Sequence, residues 1–293
     1  GPRRTVIVRI HRRRDSRYHL PRPRRGPNLA ITAPPEAGQR TMSMFFNGEN
    51  LKFRYEPFPI GQMVPMVDAA AYQEMLANWP KKELFEYVPR LGNKYSLSEK
   101  CHPEQFAAVI RDTPIWSRFD AWVRSPAFVD EVMRTLAAHH IDLGYREGVS
   151  KARQTMKNVL AMLRGRSSHR GARFAGAWEF QMMPAAGGHI LPHTDTPSKV
   201  VTMTLAVIRE DEWSPAIGGG IDINRPKDPR FAYNQLNRQA GFEDMEVLDT
   251  FEFLPNSGVI FIKTFNSWHS VRPMQSTDPG LMRRNLIINI KSI

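Results

Sequence analysis

The chain has 293 residues of which 41% are hydrophobic, enough to bury a substantial core as one large domain or one domain with an extension. Its single cysteine, Cys101, excludes an intramolecular disulfide and fits a reducing compartment, so a cytoplasmic location is expected. No apolar run approaches the roughly 20 residues that span a bilayer, which argues against a membrane partner, and the formal charge of +12 is unevenly spread.

Residues 1–40 hold eleven arginines against Asp15 and Glu36, which accounts for +9 of that charge. Residues 1–41 therefore read as a basic, Arg/Pro-rich extension that cannot build a core and is expected to stay disordered. It has no apolar segment of the kind a secretory signal needs. Contact with nucleic acid is expected, if anywhere, through this tail alone.

From Phe45 the composition turns globular, and residues 42–173 read as a mainly helical N-terminal part that packs on the outside of a β-core. A strand is expected around Leu51–Tyr55. Asp68 can cap a helix running to Trp79 and stopped by Pro80. His102-Pro103 introduces a second helix to about Arg111. Thr113-Pro114 caps a third, with Ile115, Phe119 and Trp122 on one face. Ser125-Pro126 opens a fourth, where Phe128, Val129, Val132 and Leu136 recur near helical spacing. Ser150–Leu163 has helix-forming residues whose apolar face (Met156, Val159, Leu160, Leu163) is ringed by basic side chains. Those charges read either as a solvated face or as a cationic lip that attracts an anionic substrate.

At Ala172 the hydrophobic period changes from helical to alternating. Strands are expected at about 174–183, 189–193, 200–207, 220–223, 248–253, 258–263, 267–271 and 284–291. Eight short strands separated by Gly/Pro turns make residues 174–293 an all-β, barrel-like sandwich. Pro226 to Gly241 is a long polar insertion between two of them, and insertions of that length usually carry function or disorder.

Within this segment Pro192-His193-Thr194-Asp195 is followed, about seventy residues on, by Ser267-Trp268-His269-Ser270. Two histidines and a carboxylate in a His-x-Asp…His order make the 2-His-1-carboxylate set that suits non-haem Fe(II) with open coordination positions. On an extended strand, residues i and i+2 share a face about 6.5 Å apart, so His193 and Asp195 can converge on one metal while Thr194 points away. His269 must arrive from a neighbouring strand. A histidine in an apolar strand is more often a satisfied core residue; its position relative to the other motifs turns the reading toward a ligand. His189 reads as structural or substrate-facing, because a fourth protein ligand would use up a position the chemistry requires.

The motifs around these residues resemble the Fe(II)/2-oxoglutarate-dependent oxygenase superfamily, in its prolyl-hydroxylase-like branch. Trp178-Glu179-Phe180, Gly187-Gly188-His189 and Pro192-His193-Thr194-Asp195 are similar to the family's first core strand, turn and metal-binding strand. Trp213 with Gly218-Gly219-Gly220, and Pro255-Asn256-Ser257-Gly258-Val259-Ile260-Phe261, are similar to later landmarks in the same order. The resemblance covers residues 174–293. It implies a double-stranded β-helix (jelly roll) core, mainly β, buttressed by the N-terminal α-helices. It also implies Fe(II) on His193, Asp195 and His269, with 2-oxoglutarate as co-substrate and O2 as oxidant.

Arg283 and Asn285 sit where the family has its arginine-x-serine pair for the distal carboxylate of 2-oxoglutarate. Arg284 is the competing candidate, but adjacent strand residues point to opposite faces, so only one arginine can enter the sandwich. Arg283 shares its face with Asn285, Ile287 and Asn289; Arg284 shares one with Leu286, Ile288 and Ile290. Gln181 and Thr204 are further candidate polar contacts to the co-substrate. Retention of the Asp195 carboxylate favours oxygenation over halogenation in this family. The implied reaction is hydroxylation of a small metabolite, sugar derivative or amino acid, with decarboxylation of 2-oxoglutarate to succinate. The alternatives are hydroxylation of a protein or peptide side chain and, in a different class, a non-oxygenase metal-binding jelly roll.

Overall fold

A computed structural model describes residues 43–145 and 174–292. The basic extension 1–41 and the helix expected over 150–163 lie outside the described residues. All eight expected strands of the C-terminal segment form: β5 (Phe174–Pro184), β6 (Ile190–His193), β7 (Lys199–Ala206), β8 (Ile221–Pro226), β9 (Met245–Phe251), β10 (Gly258–Ile262), β11 (His269–Val271) and β12 (Met282–Ser292). Consecutive strands switch between two sheets, apart from the β8–β9 hairpin. One sheet contains β10-β7-β12-β5 and the other runs β6-β11-β8-β9, with antiparallel pairing throughout. This is a double-stranded β-helix. The sheets face one another without closing into a barrel.

The N-terminal part adds strands as well as helices. β1 (Lys52–Arg54) and β2 (Ile60–Met63) extend the larger sheet beyond β10, and β3 (Glu86–Val88) and β4 (Lys94–Leu97) extend it beyond β5, giving eight strands among the described residues. Only the first was expected from sequence. The others are three or four residues long, too short to show a period, and exist because an exposed sheet edge offers them backbone partners.

Among the described residues four helices cover the outer face of this sheet: α1 (Ala69–Ala77), α2 (Pro103–Asp112), α3 (Pro114–Val123) and α4 (Pro126–Ala138). Asp68 caps α1 by accepting from the amides of Ala70 and Ala71, and Ser125 caps α4 by accepting from that of Phe128. Thr113 occupies the N-cap position of α3 but its hydroxyl makes no cap bond, so Pro114 alone marks that start. The buried stripe of α3 is Ile115, Trp116, Phe119 and Val123, with Trp122 only partly buried, a small rotation from the expected face. That stripe meets Trp178 and Phe180 of β5. The Trp116 ring lies 4.7 Å from Phe180 and its indole N–H donates to the Asn78 carbonyl at 2.7 Å. Leu286, Ile288 and Ile290 of β12 join the same core. A smaller cluster of Phe58, Ile60, Ile221, Ile223, Val259 and Phe261 fills the space between the two sheets.

Candidate metal and co-substrate site

The β6–β11 pairing sets His193 directly opposite His269, so two imidazoles meet on the inner face of the smaller sheet with ring centroids 4.3 Å apart. The route by which Asp195 joins them differs from the expectation. β6 ends at His193, and Asp195 lies beyond it with φ +69°, in the left-handed region. Aspartate tolerates that conformation better than most residues. A sharp turn, and not the two-residue period of a strand, therefore brings the carboxylate back beside His193. Thr194 is fully buried and anchors the turn, its hydroxyl donating to the Asn234 carbonyl at 2.9 Å. The Ser267 hydroxyl, shared between the carbonyls of Thr194 and Thr264, ties the turn to the approach of β11.

One ligand atom from each of His193, Asp195 and His269 lies within 4.8 Å of the others, and His193 Nε2 is 3.7 Å from Asp195 Oδ1. Cis ligands about 2.1 Å from one ion sit roughly 3 Å apart, so a small inward adjustment suffices to hold a divalent cation. The tautomers are set for it. Nδ1 of His193 is 2.9 Å from the Leu191 carbonyl, and Nδ1 of His269 is 2.9 Å from the Ser267 carbonyl. A carbonyl can only accept, so each Nδ1 carries the proton and each Nε2 presents its lone pair inward.

Burial pushes the His269 imidazole down to about 3, with the neighbouring His193 adding to the effect, so the ring is neutral at physiological pH. Burial works against ionisation of Asp195, yet the neighbouring charges, Lys199 foremost, hold its carboxyl well below the usual range. Lys199 Nζ donates to Oδ1 at 2.7 Å, and the Thr202 hydroxyl donates to Oδ2 at 2.9 Å. His189 stands outside the triad, its Nδ1 3.1 Å from the Gly187 carbonyl.

Further into the sandwich, Arg283 is 2% exposed and Arg284 points to the other side of β12. Arg284 is neutralised there by an ion pair with Glu212. Arg283 has no ion-pair partner among the described residues. Its Nε donates to the Gly219 carbonyl and its Nη1 to Asn285 Oδ1, each at 2.7 Å, and the guanidinium carbon lies 4.2 Å from the centroid of the Phe253 ring. Burial alone draws its pKa down to about 9. Asn285 Nδ2 in turn donates to Gln181 Oε1 at 3.0 Å, so Gln181 orients the pair indirectly. Thr204 sits across the sheet from Ile287 and lines a narrow cavity with Arg283, Gly219, Gly220, Phe253 and Val259. Gly219 has φ +84°, and a Cβ there would lie 2.9 Å from the Trp213 ring, so glycine is required where the backbone reaches in to meet Arg283.

The insertion foreseen at Pro226–Gly241 contains one short 3-10 turn, Pro229–Phe231, and a second, Phe242–Asp244, follows it directly. It walls an open cavity of about 640 Å³ with Phe231, Tyr233, Leu236 and Arg238, against Met245 and Trp268. None of the three candidate ligands lines that cavity.

No family model matches the sequence, and no curated protein matches it. Among solved structures the chain is similar to a prolyl-4-hydroxylase from Pseudomonas putida, 13% identical, covering 80% of this chain and 92% of that one with a TM-score of 0.40. It is similar to an oxidoreductase of the 2OG-Fe(II) oxygenase family from Burkholderia pseudomallei, 11% identical, covering 79% and 84% with a TM-score of 0.38. HygX from Streptomyces hygroscopicus, solved with nickel and 2-oxoglutarate bound, is 8% identical and covers 80% and 82% with a TM-score of 0.40. All three are distant likenesses. Among the described residues no helix is long and apolar enough to cross a membrane.

Proposed function

We propose that this protein is an Fe(II)/2-oxoglutarate-dependent dioxygenase that hydroxylates its substrate. The observation that carries the reading is a pairing. A 2-His-1-carboxylate set with both Nε2 lone pairs turned inward shares one interior with a buried guanidinium that has no carboxylate partner among the described residues. A buried charge without a counter-ion is costly, and a bound anion removes the cost. The planar fork of Arg283 suits a carboxylate, and the distal carboxylate of 2-oxoglutarate is the anion that can reach it while the other end of the molecule chelates the metal.

His193, Asp195 and His269 would hold the iron. Bound Fe(II) with 2-oxoglutarate and O2 supplies decarboxylation to succinate and CO2 coupled to hydroxylation of a substrate C–H bond. The chain's own residues do the rest. The Leu191 and Ser267 carbonyls keep both imidazoles in the ligating tautomer. Thr202 fixes the carboxylate plane, and the apolar walls of Ile223, Val259 and Phe261 exclude water. Asn285 and Gln181 aim the guanidinium. A small metabolite, sugar derivative or amino acid is the proposed substrate, in preference to a protein side chain.

Anaerobic Fe(II) titration of His193→Ala, Asp195→Ala and His269→Ala, alongside succinate formation from 2-oxoglutarate, tests the proposal. Each variant is expected to lose iron binding and turnover. Undiminished iron affinity in all three would sink the site assignment. Iron binding by the wild-type chain without any succinate would leave a metal-binding jelly roll of another class.

A further inference from the structure

Three lysines turn inward at one end of the sandwich, its mouth, where Lys199 reaches Asp195, and each arrives there by strand geometry. Lys291 follows Arg283, Asn285, Ile287 and Asn289 along the inward face of β12. Lys263 extends β10 in phase with Val259 and Phe261, its amide bonded to the Val200 carbonyl. Lys199 should point outward by alternation, but a bulge between β7 and β12 lets Val200 and Val201 both turn toward the helices. The bulge re-aims Lys199 inward, opposite Lys291 and onto Asp195.

Among the described residues, the acidic groups near these lysines are already engaged. Glu179 on the inward face of β5 is matched by Lys94 at 2.7 Å and by the Ser96 hydroxyl. Asp195 belongs to the metal set, so a bound cation leaves the Lys199 ammonium in need of another anion. Glu99 pairs with Arg124. No carboxylate lies within ion-pair distance of Lys263 or Lys291 among the described residues, and the one hydrogen bond of the Lys263 ammonium is to the Thr264 carbonyl. Both lysines are half-buried, and mutual repulsion with Lys199 and Lys100 contributes to a lowered Lys291 pKa. Across from Lys291 and Asn289, β5 presents only Ala175 and Ala177, side chains too short to fill the mouth.

From this cluster we infer that the substrate of the proposed dioxygenase carries an anionic oxyacid group, a carboxylate or a phosphate, held at the mouth by Lys291 and Lys263 with Lys199 beside the metal. This rests on the metal-site reading above. Like charges gathered in a partly dry mouth are stabilised by a bound anion that a neutral substrate cannot supply.

The test uses the full chain with Mn(II) in place of iron and saturating 2-oxoglutarate, so that the co-substrate position is filled. Inorganic phosphate is titrated by 31P relaxation and [13C]acetate by 13C relaxation. A saturable enhancement in either shows an anion beside the metal, and the tighter of the two identifies the group. Lys291→Met and Lys263→Met are each expected to weaken that binding by about fivefold or more, and Lys291→Arg to retain it. Saturable binding of neither anion, or binding indifferent to both Met variants, would overturn the inference; the second result would mean direct coordination to the metal. Manganese affinity, followed by EPR, separates the two levels. A chain that binds no manganese would overturn the metal-site reading together with this inference, whereas manganese binding without an anion response would overturn this inference alone.

Discussion

Arg283 and Arg284 are neighbours with opposite electrostatic circumstances. Arg284 already has Glu212, while Arg283 is buried among backbone carbonyl, amide and ring. Arg283→Ala is therefore expected to raise the 2-oxoglutarate requirement by about thirty- to a thousand-fold, which corresponds to roughly 2–4 kcal/mol for a lost charge-assisted contact. Arg284→Ala should change it far less. Steady-state kinetics in 2-oxoglutarate decide the matter, and a defect confined to Arg284→Ala would put the register out by one residue.

His269 makes a second prediction at this scale. Its folded-state pKa of about 3 lies below the ordinary 6.5, so between those values the unfolded chain binds more protons than the folded one. Stability of the metal-free protein is therefore complete above pH 6.5 and falls as pH drops toward 3. The depressed Asp195 carboxyl adds its own loss only below its ordinary 3.8. Thermal unfolding of metal-free protein from pH 8 to pH 4, set against His269→Leu, isolates the histidine. Parallel Tm profiles for the two proteins would show that His269 is not held neutral by burial.

At the scale of elements, the helices matter because they stiffen the sheet that carries Arg283 and Asn285. Trp116 is fully buried at the meeting of α3 with β5 and is wedged edge-on against Phe180. Trp116→Ala removes a large ring from a site with little room to collapse and should cost about 3–5 kcal/mol. Urea denaturation measures this directly. Because the candidate metal ligands lie on the opposite side of the larger sheet, iron affinity of the folded variant should stay close to wild type. The bulge at Val200 is the counter-example at this scale, a one-residue irregularity that sends Lys199 to the site and that simple alternation along β7 would assign to the wrong face.

For the whole molecule, every candidate ligand and co-substrate contact comes from residues 181–285, and the charge of the first forty residues is not needed to explain any of them. Deleting residues 1–41 is expected to leave iron binding and succinate formation intact while removing most binding to polyanions and its salt dependence. The strongest opposing feature is Val6-Ile7-Val8-Arg9-Ile10, a β-prone run that can extend a sheet whose outer strands, β1 and β3, are only three residues long. A large fall in Tm on truncation, with the iron site preserved, would assign that run to the sheet.

The sequence by itself determined the mainly β architecture, the eight core strands, the four helices among the described residues and the candidate set His193, Asp195 and His269, because local periodicity and spaced motifs are properties of the chain. It also separated Arg283 from Arg284, since alternation along a strand is local. Tertiary structure alone decided the rest. Asp195 reaches the histidines through a left-handed turn held at Thr194 by Asn234 and Ser267, residues 40 and 73 positions from that threonine, and no local period encodes such an anchor. The short strands β2, β3 and β4 exist only because a sheet edge is there to pair with. Lys199 enters the site through a bulge, and Lys263 and Lys291 come to the same inner face only when β10 and β12 flank β7. Which charges are left unmatched depends on distances between strands far apart in the chain, and those distances appear only on folding.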